Sequence, residues 1–200
     1  MEYITSSDFH FKDTAVALGK FEGIHRGHQL LMDEVKKQEL HGLRSVVFTF
    51  DRPTRLTLTG DTEYKQIYTK KERREILEKR GIDILIEHPF TKEFAALTPD
   101  RFIREVLVEK VGAKVIVVGT DFHFGKNRSG SITDLEKLEE ECGYHLIVVE
   151  KLQLNGKDIS STRIRASLEK GAMEEAKALL GRNYSVSGEI LHGNALGRTI

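Results

Sequence analysis

Five short apolar runs constrain the fold of this chain more than any other feature. They lie at 15–18, 45–50, 82–86, 115–118 and 146–149, and most are rich in β-branched side chains. The segments between them show amphipathic patterns of helical length. Strands that are apolar throughout and alternate with helices are typical of a parallel sheet covered on both faces. We therefore predict an α/β fold with a Rossmann-like, doubly wound parallel sheet.

Capping patterns predict where the helices of this sheet begin and end. Three starts are predicted from residue pairs, namely Thr69 with Glu72, Thr98 with Pro99, and Thr133 with Glu136. The first and third pairs have the spacing of a capping box, and the second places proline at the first helical position. The predicted ends are Gly42, Gly81, Gly112 and Gly143, since glycine readily adopts the left-handed conformation that closes a helix.

Composition excludes several classes of protein. The 200 residues include 31 basic and 31 acidic side chains, so the strongly basic surface of a nucleic-acid-binding protein is not expected. No apolar run approaches the roughly 20 residues of a membrane helix, and the opening residues lack a secretory leader pattern. Cys142 is the single cysteine, which excludes an internal disulfide. These observations predict a cytoplasmic protein with small-molecule partners and without a membrane partner.

A turn with two histidines follows the first predicted strand. Glycines lead to His25 and His28 at the start of a predicted helix, where unpaired N–H groups and the positive end of the helix dipole attract phosphate. Residues three apart share one helix face, and Gly27 lets a ligand approach the backbone. Two imidazoles there can donate hydrogen bonds to oxygens that gain charge in phosphoryl chemistry. Zinc would need three or four ligands, and no protein metal site is predicted.

This turn resembles the G-x-F-D-G-x-H-x-G-H signature of bacterial FAD synthetases, within the wider H-x-G-H nucleotidylyltransferase superfamily. The matching residues are Gly19, Phe21, Gly23, His25, Gly27 and His28. Glu22 replaces the aspartate of the signature, which keeps the charge and adds a methylene. The resemblance implies that the turn binds ATP and that His25 and His28 are catalytic.

A second motif, at 159–165, begins a predicted helix that ends near Gly171. Ser160, Ser161 and Thr162 place hydroxyl groups at a helix start, and Arg165 adds a planar donor for phosphate oxygens. Alone, such a cap is usually structural. The stretch is similar to the I-S-S-T-x-I-R motif of the same superfamily, and Arg165 matches its arginine. The resemblance implies that the three hydroxyl residues bind ATP and that Arg165 is catalytic, acting on the leaving pyrophosphate.

Two further segments are similar to the flavin side of the same family. After the second strand, the family has a phenylalanine followed by a proline-histidine-proline element, of which this chain keeps Phe50 and Pro53. An ordinary strand-ending turn remains the alternative. The loop after the fourth strand resembles the family's G-x-D-F-x-F-G element. Its implied flavin-binding residues are Asp121, Phe122, Phe124 and Gly125. An aromatic ring there could lie against a flat ring system, or it could anchor the loop in the core, and Asp121 could orient substrate or magnesium.

The resemblance as a whole implies an FMN adenylyltransferase in residues 1–182, with ATP and FMN as substrates and Mg²⁺ accompanying ATP. Residues 183–200 resemble the first strand of the riboflavin kinase module found in bifunctional members, so that an incomplete second unit is expected there. Two alternatives remain open. The chain could transfer a nucleotide to a different phosphorylated acceptor, or it could be a non-enzymatic regulator that binds flavin or nucleotide.

Overall fold

A computed structural model describes residues 1–53 and 65–188, and its centre is a six-stranded sheet. The strands are β1 (Glu2–Ile4), β2 (Thr14–Leu18), β3 (Arg44–Phe50), β4 (Ile84–His88), β5 (Ala113–Gly119) and β6 (His145–Val149). Their order is β1-β4-β3-β2-β5-β6, and every neighbouring pair is parallel. A short antiparallel hairpin, β7 (Gln153–Leu154) and β8 (Lys157–Asp158), stands apart from this sheet. The predicted doubly wound parallel sheet is confirmed.

Helices of very different length connect the strands. They are α1 (Arg26–Lys37), α2 (Lys70–Lys79), α3 (Lys92–Ala95), α4 (Pro99–Arg101, continued by a π-helix over Phe102–Lys110), α5 (Ile132–Cys142), α6 (Ser161–Glu169) and α7 (Met173–Leu180). Short 3₁₀ turns cover Gln38–His41 and Lys126–Arg128. The last two helices pack on each other and follow the sheet rather than cover its central strands.

Apolar side chains cover both faces of the sheet, as the unbroken apolar strands predict. In β2, Val16 and Leu18 belong to one buried cluster, whereas Ala15 and Ala17 belong to another. The π-helix packs in the first cluster, and α1 packs in the second. This alternation follows from the period of two along a strand. Because both faces of the sheet are covered, a binding site is expected at the carboxyl ends of the strands.

The strand order reverses between β2 and β5. From β2 the chain proceeds through β3 to β4 on one side, and it then crosses to β5 on the other side of β2. In open α/β sheets, ligands bind beyond the carboxyl ends of the strands at such a reversal. Here β2 leads into Gly19, and β5 ends at Gly119. The histidine turn and the loop after β5 therefore meet at this edge.

Most of the predicted helix boundaries are confirmed. Thr69 and Glu72 form both hydrogen bonds of a capping box, and Thr98 caps α4 with Pro99 at the first position. The backbone angle φ is positive at each of the predicted terminal glycines, namely Gly42, Gly81, Gly112 and Gly143. A side chain at Gly112 would also collide with the Phe11 carbonyl, 2.2 Å from the Cβ position. The backbone conformation at these positions therefore favours glycine.

The predicted capping box of Thr133 and Glu136 is wrong. Helix α5 begins at Ile132, and its capping box is formed by Ser131 and Asp134, two residues earlier. The Asp134 carboxylate accepts the Ser131 backbone N–H at 2.9 Å and the Ser131 hydroxyl at 3.0 Å. Both pairs have the same spacing and chemistry, so the local pattern alone could not separate them.

Two predicted strands require correction, one further strand was not predicted, and two predicted segments lie partly outside the described residues. The strand predicted at 82–86 spans Ile84–His88, and the edge strand Glu2–Ile4 was not predicted. Residues 183–188 contain no strand, although the sequence predicted one beginning in this tail. Residues 189–200, which hold most of that predicted unit, lie outside the described residues, as does Thr54 in the segment after Phe50.

Candidate functional site

The two histidines of the turn contact each other directly. His25 is the N-cap of α1, and its Nδ1 accepts the backbone N–H of His28 at 3.2 Å. The two rings stack with centroids 3.6 Å apart and planes 14° from parallel. A Cβ on Gly27 would lie 3.3 Å from the His25 ring. Glycine at this position therefore avoids a tight contact with that ring. Because Nδ1 of His25 accepts a hydrogen bond, its proton is on Nε2, which is then a donor.

The backbone before the histidines is strained. Phe21 and Ile24 both have a φ of 43°, in the left-handed region that side chains rarely adopt, and both are fully buried. The Phe21 ring lies edge-on to His28 with centroids 5.0 Å apart. A strained conformation persists only where the surrounding packing holds it in place, and such strain is concentrated at functional sites. The turn is therefore a rigid support for the two imidazoles.

Both imidazoles are neutral at pH 7. Burial, reinforced by the nearby Arg182 charge, lowers the pKa of His25 to about 4, against the opposing effects of a backbone hydrogen bond and of Asp121. Burial, reinforced by His25, holds the pKa of His28 well below its usual value. His28 keeps part of its surface exposed, but its Nδ1 is buried without a partner among residues 1–53 and 65–188. The turn thus offers uncharged N–H donors.

The start of α6 lies against this turn. Ser160 is the N-cap, and its hydroxyl accepts the backbone N–H of Arg163 at 3.3 Å. Ser161 and Thr162 form the first turn of the helix. A Cβ on Gly23 would lie 3.1 Å from Ile67 and 3.8 Å from the Ser161 hydroxyl. The glycine of the first motif is therefore a point of contact with the second.

An ion pair joins the two motifs directly. Arg165 Nη1 donates to both carboxylate oxygens of Glu22 at 2.7 Å. The same carboxylate accepts the backbone N–H of Ile67 at 3.2 Å, and Arg165 Nη2 donates to the Thr162 hydroxyl at 3.4 Å. Glu22 stands where the resembling signature has aspartate. Glu22, the one residue of the turn that departs from the signature, thus contacts a residue 143 positions later in the chain.

A cleft of about 210 Å³ opens beside this ion pair. Its lining residues are Lys20, Glu22, Thr49, Phe50, Asp51, Arg52, Pro53, Gln66, Arg73, Thr162 and Arg165. Phe50 and Pro53, predicted to face the flavin, therefore share one cleft with Thr162 and Arg165 of the second motif. The cleft follows the carboxyl ends of β2 and β3, next to the histidine turn.

The predicted aromatic pair after β5 lies outside this cleft. Phe124 is only 7% exposed and packs in the core with its ring centroid 5.4 Å from that of Phe102. Phe122 stacks on Phe124 at 5.5 Å, and a Cβ on Gly125 would touch Pro99 at 3.1 Å. The alternative that an aromatic anchors this loop describes Phe124 well. The flavin contacts implied for these residues stay a prediction.

Asp121 lies on the histidine side of the site. Its charge acts on His25, and its carboxylate pairs with Lys151 at 3.1 Å. No group of three or more histidine, cysteine, aspartate or glutamate residues that could hold a metal ion occurs in the described part of the chain.

Sequence reasoning missed a buried cluster at the far wall of the cleft. Glu87, at the end of β4, is 1% exposed and pairs with Arg73 of α2. The Tyr3 hydroxyl donates to Glu87 at 2.5 Å, and burial together with this bond raises the pKa of Tyr3 to about 12. A charged residue that ends an apolar strand is the signal that could have revealed the cluster, since parallel strands present functional groups at that end.

The FAD synthetase family model matches residues 8–163 of this chain. The matched span includes the histidine turn and the first turn of α6. This chain belongs to the FAD synthetase family. The resemblance in the two motifs is thereby confirmed at the level of the family.

Two curated relatives agree with this family. The bifunctional riboflavin kinase/FMN adenylyltransferase of Buchnera aphidicola subsp. Schizaphis graminum is 32% identical over 190 residues, which cover 94% of this chain and 61% of that protein. The protein of the same name from Listeria monocytogenes is 33% identical over 199 residues, covering 98% of this chain and 63% of that protein. This member of the FAD synthetase family thus spans about three fifths of the length of these curated relatives.

A crystal structure from Streptococcus pneumoniae, described as a macrolide-efflux protein, has the same fold. It superposes with a TM-score of 0.89 and 31% identity, covering 100% of this chain and 66% of that one. In residues 1–53 and 65–188, no helix of this family member is both long and apolar enough to cross a bilayer. The expected cytoplasmic location stays a prediction.

An arginine after α7 also supports the histidine turn of this FAD synthetase family member. Arg182 donates to the carbonyl of Ile24 at 2.8 Å and to that of Gly23 at 2.9 Å. Its guanidinium lies over the Tyr68 ring, 5.1 Å from the centroid. Capping the carbonyls of the strained segment fixes its conformation. Nothing in the local sequence of 181–184 indicates this role, because the partners lie about 158 residues away.

Proposed function

We propose that this chain transfers the AMP group of ATP to FMN and so forms FAD and pyrophosphate. An oxygen of the FMN phosphate forms a bond to the α-phosphorus, and the bond from that phosphorus to the oxygen bridging to the β-phosphate breaks. Family membership and the names of the curated relatives support this reaction. The observation that carries the proposal is the Glu22–Arg165 pair, since it joins the histidine turn to the start of α6.

In this proposal, the histidines bind the reacting phosphate. A phosphate monoester is largely ionised at neutral pH, so no general base is needed and the catalytic work is alignment and charge stabilisation. His25 and His28 are neutral, so each supplies an N–H donor rather than a charge that would bind ATP and the transition state alike. Fixed donors in a site with little water stabilise oxygens that gain charge during the reaction. His28 acts on the α-phosphate and the bridging oxygen, with His25 beside it.

The start of α6 binds the leaving pyrophosphate. Ser161 and Thr162 offer hydroxyl groups together with the unpaired N–H groups of a helix N-terminus. Arg165 adds a planar guanidinium, which Glu22 holds in one orientation. The acceptor occupies the cleft beside Phe50 and Pro53. The two substrates then meet next to the histidine turn.

Magnesium belongs to this scheme as part of the ATP substrate. Mg²⁺ keeps several waters and is commonly held by substrate phosphates with one or two carboxylates. Asp121 is a carboxylate on the histidine side, and it fits such a limited role. We assign the transfer to residues 1–182. From the names of the relatives, we propose that a longer form of the protein couples it to riboflavin phosphorylation.

Incubation with ATP, Mg²⁺ and FMN tests the proposal. We expect FAD and pyrophosphate in equal amounts, followed by chromatography and by the loss of flavin fluorescence. Riboflavin, which has no phosphate to attack the α-phosphorus, serves as the control and should yield no FAD. Pyrophosphate release with another phosphorylated acceptor but not with FMN would favour a different nucleotidylyltransferase. Flavin or ATP binding without any release would favour a regulator.

A further inference from the structure

Arg73 is a buried cation that the mechanism above does not use. It lines the cleft but is only 9% exposed. Its Nη2 donates to Glu87 and, at 3.5 Å, to the Phe50 carbonyl. Glu87 in turn accepts from Tyr3 on the edge strand. The guanidinium on α2 is therefore held in the cleft wall by contacts with β3 and β4.

Most of the donors of this guanidinium have no hydrogen-bond partner in the described part of the chain. Nε of Arg73 is buried without a hydrogen bond among residues 1–53 and 65–188, and Nη1 makes none to the same residues. Arginine has five N–H donors, and Nε and Nη1 hold three of them. A buried donor without a partner, such as Nε, is destabilising by about 1–3 kcal/mol and calls for an explanation such as a ligand nearby.

The position of Arg73 along the sheet edge indicates which part of a ligand it meets. Glu22 and Lys20 follow β2, beside the histidine turn, whereas Glu87 lies next to the last residue of β4, two strands away. Strands lie about 4.8 Å apart, so this end of the cleft is about 10 Å from the β2 end. An acceptor whose phosphate reaches the histidines would place its opposite, uncharged part beside Arg73.

We infer that Arg73 binds an uncharged oxygen of the acceptor at the end of the cleft away from the reacting phosphate. This inference rests on the proposed function, since it assumes a flavin acceptor. The Glu87 carboxylate balances the charge of the guanidinium, so the wall offers directional N–H donors with little net charge. Such donors suit a carbonyl oxygen of a planar ring or a hydroxyl of its side chain better than a phosphate dianion.

Binding measurements with three flavins test the inference. The probes are FMN, riboflavin, which lacks the phosphate, and lumiflavin, which also lacks the hydroxylated chain. R73Q should raise the dissociation constants of FMN and riboflavin by the same factor, about tenfold, and leave that of ATP within about twofold. K79Q removes an exposed cation from the other end of α2 and should change none of these constants.

The three probes give distinct outcomes. Weakened lumiflavin binding would assign the contact to a ring oxygen, and unchanged lumiflavin binding with weakened riboflavin binding would assign it to the chain. Either result supports the inference. A loss confined to FMN would mean that Arg73 binds the phosphate, and no loss at all would mean that it binds no acceptor. Both results overturn it. A wild-type protein that binds no flavin would overturn the proposed acceptor together with this inference.

The double variant R73Q/E87Q separates ligand binding from folding. In R73Q alone, Glu87 remains buried without its cation, which destabilises the fold. The double variant replaces both charges with amides of similar size, and the Tyr3 hydroxyl keeps an acceptor. The double variant should remain folded and show the same tenfold loss for riboflavin. Binding restored to the wild-type level would show that the loss in R73Q came from the stranded carboxylate, and would contradict the inference.

Discussion

The two walls of the proposed site differ in how they use charge. The histidine turn has two neutral imidazoles with lowered pKa values on a strained and buried backbone. The cleft has opposite charges held in pairs, Glu22 with Arg165 and Glu87 with Arg73. Neutral donors suit an oxygen that becomes charged only in the transition state. Paired charges suit the orientation of bound substrates. The proposal therefore uses the first wall to stabilise the transition state and the second to orient ATP and the acceptor.

The largest expected effect comes from the histidine wall. H28A should lower kcat for FAD formation by about 100-fold or more, because it removes a donor used mainly in the transition state. The dissociation constant of ATP should change by less than about threefold. Steady-state kinetics and ATP titration measure the two quantities. H123A is the matched control, since His123 is exposed and its Nδ1 bonds the Asp121 carbonyl, a backbone group that the substitution leaves in place.

The same wall should make the fold sensitive to acid. Unfolded His25 takes up a proton near pH 6.5, whereas the folded residue does so only near pH 4. Stability is therefore lost as the pH falls through this window, by about 3 kcal/mol in total from His25. Urea unfolding from pH 7 to pH 4 should show a shallower loss for H25N, whose amide still caps α1. Parallel curves for the two proteins would contradict the lowered pKa.

Breaking the ion pair should have a smaller effect on stability. E22A leaves Arg165 partly buried without this carboxylate, and we expect the free energy of unfolding to fall by about 2 kcal/mol. The KM for ATP should also rise, because the guanidinium loses its orientation, and E22D should fall between E22A and the wild type. E34A, which removes an exposed pair with Lys37 on α1, should change stability by less than about 0.5 kcal/mol. Equal effects of E22A and E34A would argue against a junction of the two motifs.

The smallest expected effect on stability is at Asp121. Its pair with Lys151 is exposed, so D121N should change the free energy of unfolding by less than about 0.5 kcal/mol. The Mg²⁺ concentration for half-maximal FAD formation should nevertheless rise, since a carboxylate near the phosphates is lost. A Mg²⁺ dependence equal to that of the wild type would remove Asp121 from the proposed site.

The comparison of the two walls also explains what the sequence could predict. The histidine turn is encoded within about ten consecutive residues, so its spacing, its place after a strand and the helix that follows are all visible in the sequence. The cleft depends on partners far apart in the chain, such as Glu22 with Arg165 and Arg73 with Glu87. Their pairing depends on strand order, which a local pattern does not contain. Glu22 was identified only as a departure from a signature.

Local ambiguity accounts for the other errors. Ser131 with Asp134 and Thr133 with Glu136 are equivalent as patterns, and the packing of α5 decides between them. The three residues of β1 are too few to show a period, and they form a strand because β4 offers an unpaired edge. An aromatic such as Phe124 suits both a core and a ring-binding surface, and burial became evident only in the folded chain. Where an apolar run or a capping pair had no local competitor, as in β5 and at Thr69, the element was predicted correctly.

The central claim is that the histidine turn and the start of α6 bind one ATP molecule together. A crystal structure with a non-hydrolysable ATP analogue tests this claim most directly. The account predicts the α-phosphate within hydrogen-bond distance of His25 and His28, and the β- and γ-phosphates at Ser161, Thr162 and Arg165. An analogue bound through only one of these two segments, or bound elsewhere on the chain, would contradict it.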